Sequence, residues 1–226
     1  MTELADVRAH RRRSAALLAA IALLLPWSLS AIAATPSPES LKVARDYVDA
    51  ARYVELLDAI VNRFAAGANI AVEPNDLAMK RRVVRDISRE VMADSLARSL
   101  ADTPIQALRD GLAYARSDAG RIEFACVARM SDGGDGYPSC LKDSADEAQL
   151  ARIMEHSQSP SGLALMGKAL RGETVARALN DSTRELVSRD PEIAAQLADY
   201  CKRKPDEGMC GYQADAASEG GSDERR

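Results

Sequence analysis

The chain has 226 residues, with 30 basic and 34 acidic side chains and a formal net charge of −4. An acidic balance argues against nucleic-acid binding, which needs a basic surface. The length fits a single domain with a substantial core.

Residues 1–33 have the pattern of a secretory signal peptide. Four arginines within residues 8–13 precede an apolar run over 15–25, and small residues follow at Ala31 and Ala33. We therefore expect export to the periplasm or secretion, with cleavage after Ala33. The alternative is that this segment stays uncleaved and anchors the chain in the membrane, although Pro26 interrupts the apolar run. We expect no other contact of the chain with a membrane.

Cleavage would change the net charge of the chain and the number of its histidines. The segment carries four arginines and two acidic residues, so the mature chain would have a net charge of about −6. His10 would leave with it, and His156 would be the single histidine.

From residue 37 onward, apolar residues recur every three or four positions, which predicts an all-α domain over residues 34–212. Ser37 is the expected cap of the first helix and Pro38 its first residue. A break near residues 51–53 would separate a second helix that runs through Phe64. A long helix is expected from Asn75 or Asp76 to the end of "ARSLA" at residue 101.

The next helix should begin at "TPIQ", with Thr103 as its cap, Pro104 at the first position and Gln106 completing a capping box. A later helix should begin at "SADE", with Ser144 as cap and Glu147 as its partner. The last helix should have Asp190 as cap. Residues 213–226 lack apolar anchors and are expected to be disordered.

Two stretches repeat Ser-x-x-Gly 42 residues apart, at Ser117 with Gly120 and at Ser159 with Gly162. Each serine is expected to cap a helix that follows the previous one almost without a loop. Because glycine inside a helix costs about 1 kcal/mol relative to alanine, each glycine should mark a close approach of two helices. The sequence thus predicts a compact bundle of about six to eight helices that contains two quasi-repeated hairpins.

Four cysteines follow the signal segment, and an even number in an exported chain favours two disulfides over free thiols. Three pairings are possible. We favour the local pairs, which each bracket a turn-rich insert: Cys126 with Cys140 and Cys201 with Cys210. Their spacing is too wide for a typical structural zinc site.

No residue pattern predicts a catalytic, cofactor or metal site. His156 and Ser159 lack a third group to orient the imidazole, and His156 is expected at the surface or at a helix end. "SDGGDG" over residues 131–136 lacks the ligand spacing of a calcium loop. Phosphate-binding loops, dinucleotide fingerprints and nucleophile elbows are absent from the sequence.

The segment "TPIQALRDGLAYARSDAGRIEF" resembles the hallmark of a bacterial family known only as domain of unknown function 2059. Tyr114, Ser117 and Gly120 fit that pattern, whereas Asp118 replaces the usual proline. The resemblance extends over about residues 40–170 and implies a periplasmic all-α domain. It brings no catalytic residues, and the four cysteines depart from its pattern.

These observations favour a non-catalytic domain that binds another envelope protein or a hydrophobic ligand. One alternative is an envelope hydrolase with a carboxylate site, which would require a cleft that holds at least two acids of raised pKa. The other is a structural or stress-associated protein without a small ligand.

Overall fold

The structure is a computed structural model that describes residues 35–65, 73–129 and 136–213. The predicted signal peptide, residues 130–135 and the predicted tail after Gln213 lie outside the described residues. The described part of the chain contains α-helices and one short 3₁₀-helix, without a β-strand. None of these helices is long and apolar enough to cross a bilayer.

Eleven α-helices make up this described part. They are α1 (Pro38–Ala50), α2 (Tyr53–Ala65), α3 (Pro74–Asp86), α4 (Arg89–Leu100), α5 (Ile105–Arg116), α6 (Asp118–Ala128), α7 (Gly136–Ser144), α8 (Glu147–Gln158), α9 (Pro160–Ala169), α10 (Gly172–Arg189) and α11 (Pro191–Arg203). The 3₁₀-helix Gly208–Cys210 follows α11. The all-α prediction is confirmed.

The expected number of helices, about six to eight, is wrong. The long helix predicted over residues 75–101 is interrupted at Ile87, whose backbone is extended at φ −62° and ψ 144°. Ser88 then caps α4, its Oγ accepting a hydrogen bond from Val91 N at 3.3 Å. In addition, Gly136–Ser144 forms a helix where the sequence indicated turns. Pro138 is compatible with this helix, since it falls in the first turn, where its missing N–H is tolerated.

Two predicted caps are also wrong. Helix α5 begins one residue later than expected, with Pro104 in the capping position and no side chain bonded to the helix amides. At α8 the cap is Asp146 rather than Ser144, in a reciprocal capping box with Gln149. A carboxylate is at least as good a cap as a hydroxyl, and this one has a partner at the required spacing.

Two other predicted caps are confirmed because their signals are local. Ser37 Oγ accepts from Ser40 N at 3.0 Å, with Pro38 as the first residue of α1. Asp190 Oδ1 accepts from Glu192 N at 3.1 Å and from Ile193 N at 3.0 Å.

Helix α4 is the centre of the core and packs against α1, α2, α9 and α10. Since it has neighbours on several sides, its buried residues do not form one stripe; they are Met92, Ala93, Ser95, Leu96, Ala97 and Leu100. The polar Ser95 is satisfied, because its hydroxyl donates to Asp181 on α10 at 2.6 Å. Ser182 Oγ donates in return to the carbonyl of Ser88 at 3.1 Å.

The pairs α5–α6 and α8–α9 each consist of successive helices in contact. Across the two pairs, α5 packs on α9 and α6 packs on α8. Leu108 is fully buried, whereas its counterpart 42 positions on, Leu150, is half-buried. The quasi-repeat of whole hairpins therefore stays a prediction.

Both disulfides form between the local pairs that the sequence favours. Cys126 and Cys140 have Cα atoms 5.5 Å apart, and Cys201 and Cys210 have Cα atoms 5.6 Å apart. The first disulfide ties α7 to α6. The second ties the 3₁₀-helix to the end of α11.

Candidate functional site

The first corner, residues 114–120, joins α5 to α6 without a loop. Ser117 Oγ accepts a hydrogen bond from Gly120 N at 3.1 Å and donates to the carbonyl of Tyr114 at 2.7 Å. Its extended backbone, at φ −70° and ψ 164°, turns the chain between the two helices.

The second corner, residues 156–162, joins α8 to α9 with the same bonds. Ser159 Oγ accepts from Gly162 N at 3.0 Å and donates to the carbonyl of His156 at 2.7 Å. Its backbone, at φ −71° and ψ 154°, is close to that of Ser117.

Both corner glycines lie against the end of the preceding helix. A Cβ atom on Gly120 would lie 2.0 Å from the carbonyl oxygen of Tyr114, and one on Gly162 would lie 2.0 Å from that of His156. These are backbone atoms that cannot move aside cheaply. The absence of a side chain therefore allows each helix to start so close to the last turn of the one before it.

The two corners meet through the aromatic residue that opens each of them. The rings of Tyr114 and His156 are stacked, with centroids 3.6 Å apart and planes 11° from parallel. His156 is only 7% exposed, and its Nε2 atom is buried without a hydrogen-bond partner. The prediction of a helix-end histidine is correct, but the histidine is not at the surface.

A buried carboxylate lies beside this stack. Glu123 on α6 is 1% exposed and accepts two phenolic hydrogen bonds, from Tyr114 at 2.5 Å and from Tyr137 on α7 at 3.3 Å. Tyr114 thus contacts both titratable groups, His156 through its ring face and Glu123 through its hydroxyl.

Burial displaces the titration of this cluster. It raises the pKa of Glu123 against the opposing effect of the two phenol donors, and it lowers the pKa of His156. The pKa values of Tyr114 and Tyr137 rise, first through burial and then through the nearby Glu123. Each shift favours the neutral form of its group.

Aromatic residues enclose the cluster on its inner side. Phe124 makes edge contacts with Tyr47, Tyr53 and Tyr114, with centroids 5.9–6.3 Å apart. Tyr47 and Tyr53 share a buried hydroxyl–hydroxyl bond of 3.2 Å. Burial raises the pKa of Tyr53 to about 12, so this inner wall stays uncharged.

The corner serine and histidine are not arranged for catalysis. Ser159 Oγ bonds to the backbone carbonyl of His156 and to the amide of Gly162, and it lies 3.0 Å from Ser161 Oγ. These bonds account for it as a helix cap. Nothing in this geometry activates it as a nucleophile.

An apolar surface lies on the outer side of α9. The α9 face consists of Leu163, Ala164 and Gly167 on one side of the helix and of Leu170, the residue that caps its C-terminus; all four are exposed. Leu163 is 64% exposed and Leu170 is 42% exposed; on the neighbouring α8, Met154 is 61% exposed. A Cβ atom on Gly167 would meet nothing within 4 Å, so this side is open.

A polar groove of about 550 Å³ lies between α3 and α11. The carboxylate in its wall, Asp76, is 3% exposed and pairs with Arg203 at 2.9 Å and with Lys204 at 3.4 Å. The hydrogen bond from Arg203 is the main cause that lowers the pKa of Asp76. A paired carboxylate of low pKa is a structural anchor rather than a general acid.

Basic residues of α3 form ion pairs within the chain. Lys80 pairs with Glu207, and Arg82 pairs with Asp190 and Glu192. Among the described residues, no three His, Cys, Asp or Glu side chains are grouped to hold a metal ion. The aspartates of the Gly-rich sequence at 131–135 lie outside the described residues.

Comparison with protein-family models, curated proteins and solved structures finds no match for this chain. The relation to the family with domain of unknown function 2059 therefore stays a prediction.

The Glu123–Tyr137 bond and the stacking of the two corners were not predicted from the sequence. The stack had a signal, because Tyr114 and His156 occupy the same place in the two Ser-x-x-Gly stretches. Glu123 had none, since one acid in a helical pattern resembles any solvent-facing acid.

Proposed function

We propose that this protein is an exported, disulfide-stabilised helical domain that acts without catalysis by binding another protein of the cell envelope through the α9 face. The observation that carries the proposal is the exposure of Leu163 and Leu170 on one side of a short helix whose other side is buried. Apolar side chains clustered at a surface are typical of binding sites.

A protein partner fits this face better than a small hydrophobic ligand. Small ligands are held in concave sites that bury most of their surface, whereas the α9 face is an exposed helix side. Small residues at Ala164 and Gly167 would let a partner helix approach the backbone between the two leucines.

Export is supported by the two disulfides, which persist in oxidising compartments and are rare in the cytosol. Each closes a short loop and is expected to add about 2–4 kcal/mol of stability. The signal-like sequence of residues 1–33 supports the same location, and the resemblance to the periplasmic family agrees with it.

The carboxylate hydrolase has no observation in its favour. Within the described residues, the acid with a raised pKa is Glu123, and both its oxygens are bonded to tyrosines in the interior. The acid in the groove wall, Asp76, has the opposite pKa shift.

The test is site-specific photocrosslinking in the cell envelope. A photoreactive residue replaces Leu163 in one variant and the exposed Ala195 on α11 in the control. We expect one reproducible adduct from position 163, weakened when Leu170→Ser is added, and none from position 195. Equal adducts from both positions, or none from position 163, would contradict the proposal.

A further inference from the structure

We propose that His156 and Tyr114 form an acid-sensitive latch, in which protonation of the imidazole loosens the stacked contact and releases α8 and α9 from α5 and α6. The latch follows from the position of one buried ring between two corners. Its effect on the α9 face rests on the proposed function, but the latch itself does not.

The geometry leaves no place for a second proton on the imidazole. Each ring nitrogen of a protonated histidine is a donor, and Nε2 of His156 is buried without an acceptor. A buried charged donor without a partner is strongly unfavourable, because the charge leaves water and gains no hydrogen bond.

The stacked phenol ring does not compensate for this cost. A cation over an aromatic face gains only a modest electrostatic attraction. That gain is smaller than the loss of hydration, in agreement with the lowered pKa that burial gives His156.

The neighbouring ionisable groups do not supply a direct counter-charge. Glu123 on α6 accepts hydrogen bonds from Tyr114 and from Tyr137 on α7, so each of its two oxygens already has a partner other than the imidazole. Helix α9 carries one cation, Lys168, which pairs with Asp102. The other charged groups on α8 and at the start of α6 are exposed: Glu147, Arg152, Glu155, Asp118 and Arg121.

His156 is connected to the rest of the second corner through its backbone carbonyl. The carbonyl of His156 accepts the bond from Ser159 Oγ, and Ser159 in turn caps α9. A displacement of His156 therefore disturbs the start of α9 as well as the end of α8, so both helices should open together.

Local opening and global unfolding should depend on pH differently. Opening of α8–α9 exposes His156 but leaves Glu123 bonded to residues of α5 and α7. Only His156 then gains a proton on opening, and the open population rises by up to tenfold for each pH unit below 6.5 until the folded pKa is reached. Global unfolding also frees Glu123, whose raised pKa has the opposite effect.

The test is hydrogen exchange of the full-length chain at pH 7.5 and pH 5.0, corrected for intrinsic exchange rates. We expect protection in α8 and α9 to fall at least severalfold at pH 5.0, while α1 and α4 keep theirs. His156→Phe, which keeps a stacking ring without a titratable nitrogen, should abolish this selective loss. An equal loss in all helices, an unchanged loss in the variant or no loss in the wild type would overturn the latch.

A second measurement needs no variant at the site. NMR titration of the imidazole signals in the wild-type chain should give His156 a pKa below 6.5, whereas a value of 6.5 or above would overturn the latch. Separately, a failed crosslink at position 163 together with acid-induced exchange in α8–α9 would refute the proposed binding face and leave the latch standing.

Discussion

Tyr114 stacks on His156, and these two residues are separated by the same 42 positions that separate Ser117 from Ser159. Equivalent residues of the two corners therefore contact each other directly. Any change that moves one corner should therefore also displace the other.

Replacing either corner glycine should destabilise the protein. Gly120→Ala and Gly162→Ala each introduce a Cβ atom 2.0 Å from a backbone carbonyl oxygen, so the corner must open. We expect a loss of about 1–3 kcal/mol for each, measured by urea unfolding.

Gly167→Ala is the matched control for these variants. It lies inside α9 with open space at the Cβ position, so the higher helix propensity of alanine should stabilise the chain by up to about 1 kcal/mol. If all three substitutions changed the free energy of unfolding by the same amount, the close approach at the corners would be wrong.

Glu123→Gln should change how stability depends on pH. The raised pKa of Glu123 means that the folded protein binds a proton more tightly than the unfolded chain, so stability increases as pH falls through the folded pKa towards 4.5. The glutamine variant should lose this increase. The measurement is the urea-derived free energy of unfolding between pH 4.5 and pH 7.5.

His156→Phe gives the complementary result in the same assay. The lowered pKa of His156 makes the free energy of unfolding fall as pH decreases below 6.5, which is opposite to the effect of Glu123. Replacing the histidine removes this contribution. The phenylalanine variant should therefore gain more stability on acidification than the wild type. Identical pH profiles for the wild type and both variants would contradict the assignment of these buried groups.

Loss of the first disulfide should release α7 selectively. None of the side chains of α7 is fully buried, and Cys140 ties the helix to Cys126 on α6. The double variant Cys126→Ala, Cys140→Ala should lose about 2–4 kcal/mol and expose α7 to limited proteolysis.

The second disulfide provides the control for this experiment. Cys201→Ala with Cys210→Ala should cost a similar free energy of unfolding but leave α7 resistant to the protease. Cleavage within α7 in both double variants at the same rate would show that the Cys126–Cys140 bond does not hold this helix.

Arg52→Gly should stabilise the turn between α1 and α2. Arg52 has φ 55°, in the left-handed region that glycine adopts without strain. The expected gain is about 0.5–1 kcal/mol, reduced slightly by loss of the exposed pair with Glu55. Arg177→Gly, at an exposed position inside α10, should instead cost about 1 kcal/mol in thermal or urea unfolding; stabilisation by both would contradict the turn geometry.

The sequence was sufficient where a few neighbouring residues decide the structure. Ser37 and Asp190 could be identified as caps because each is a short polar residue followed by proline. The local disulfides could be preferred because each pair brackets a turn-rich insert. These signals do not depend on the rest of the fold.

The sequence was insufficient where distant residues decide it. The break before Ser88 was hidden, because an apolar pattern of helical period runs through it and the gain from packing α4 on four neighbours is not visible locally. Glu123 resembled a solvent-facing acid until α7 was seen to bring Tyr137 to it. Met154, which lies 42 positions after the half-buried Leu112, is exposed because α8 contacts the bundle on one side.

The position of α4 has a consequence for biosynthesis. This helix is covered by α1 on one side and by α10 on another, and those two helices stand more than 120 residues apart in the chain. A nascent chain that stops before Gly172 would leave the central helix partly uncovered, however well its N-terminal half were formed. Folding should therefore be completed only after the residues of α10 have emerged.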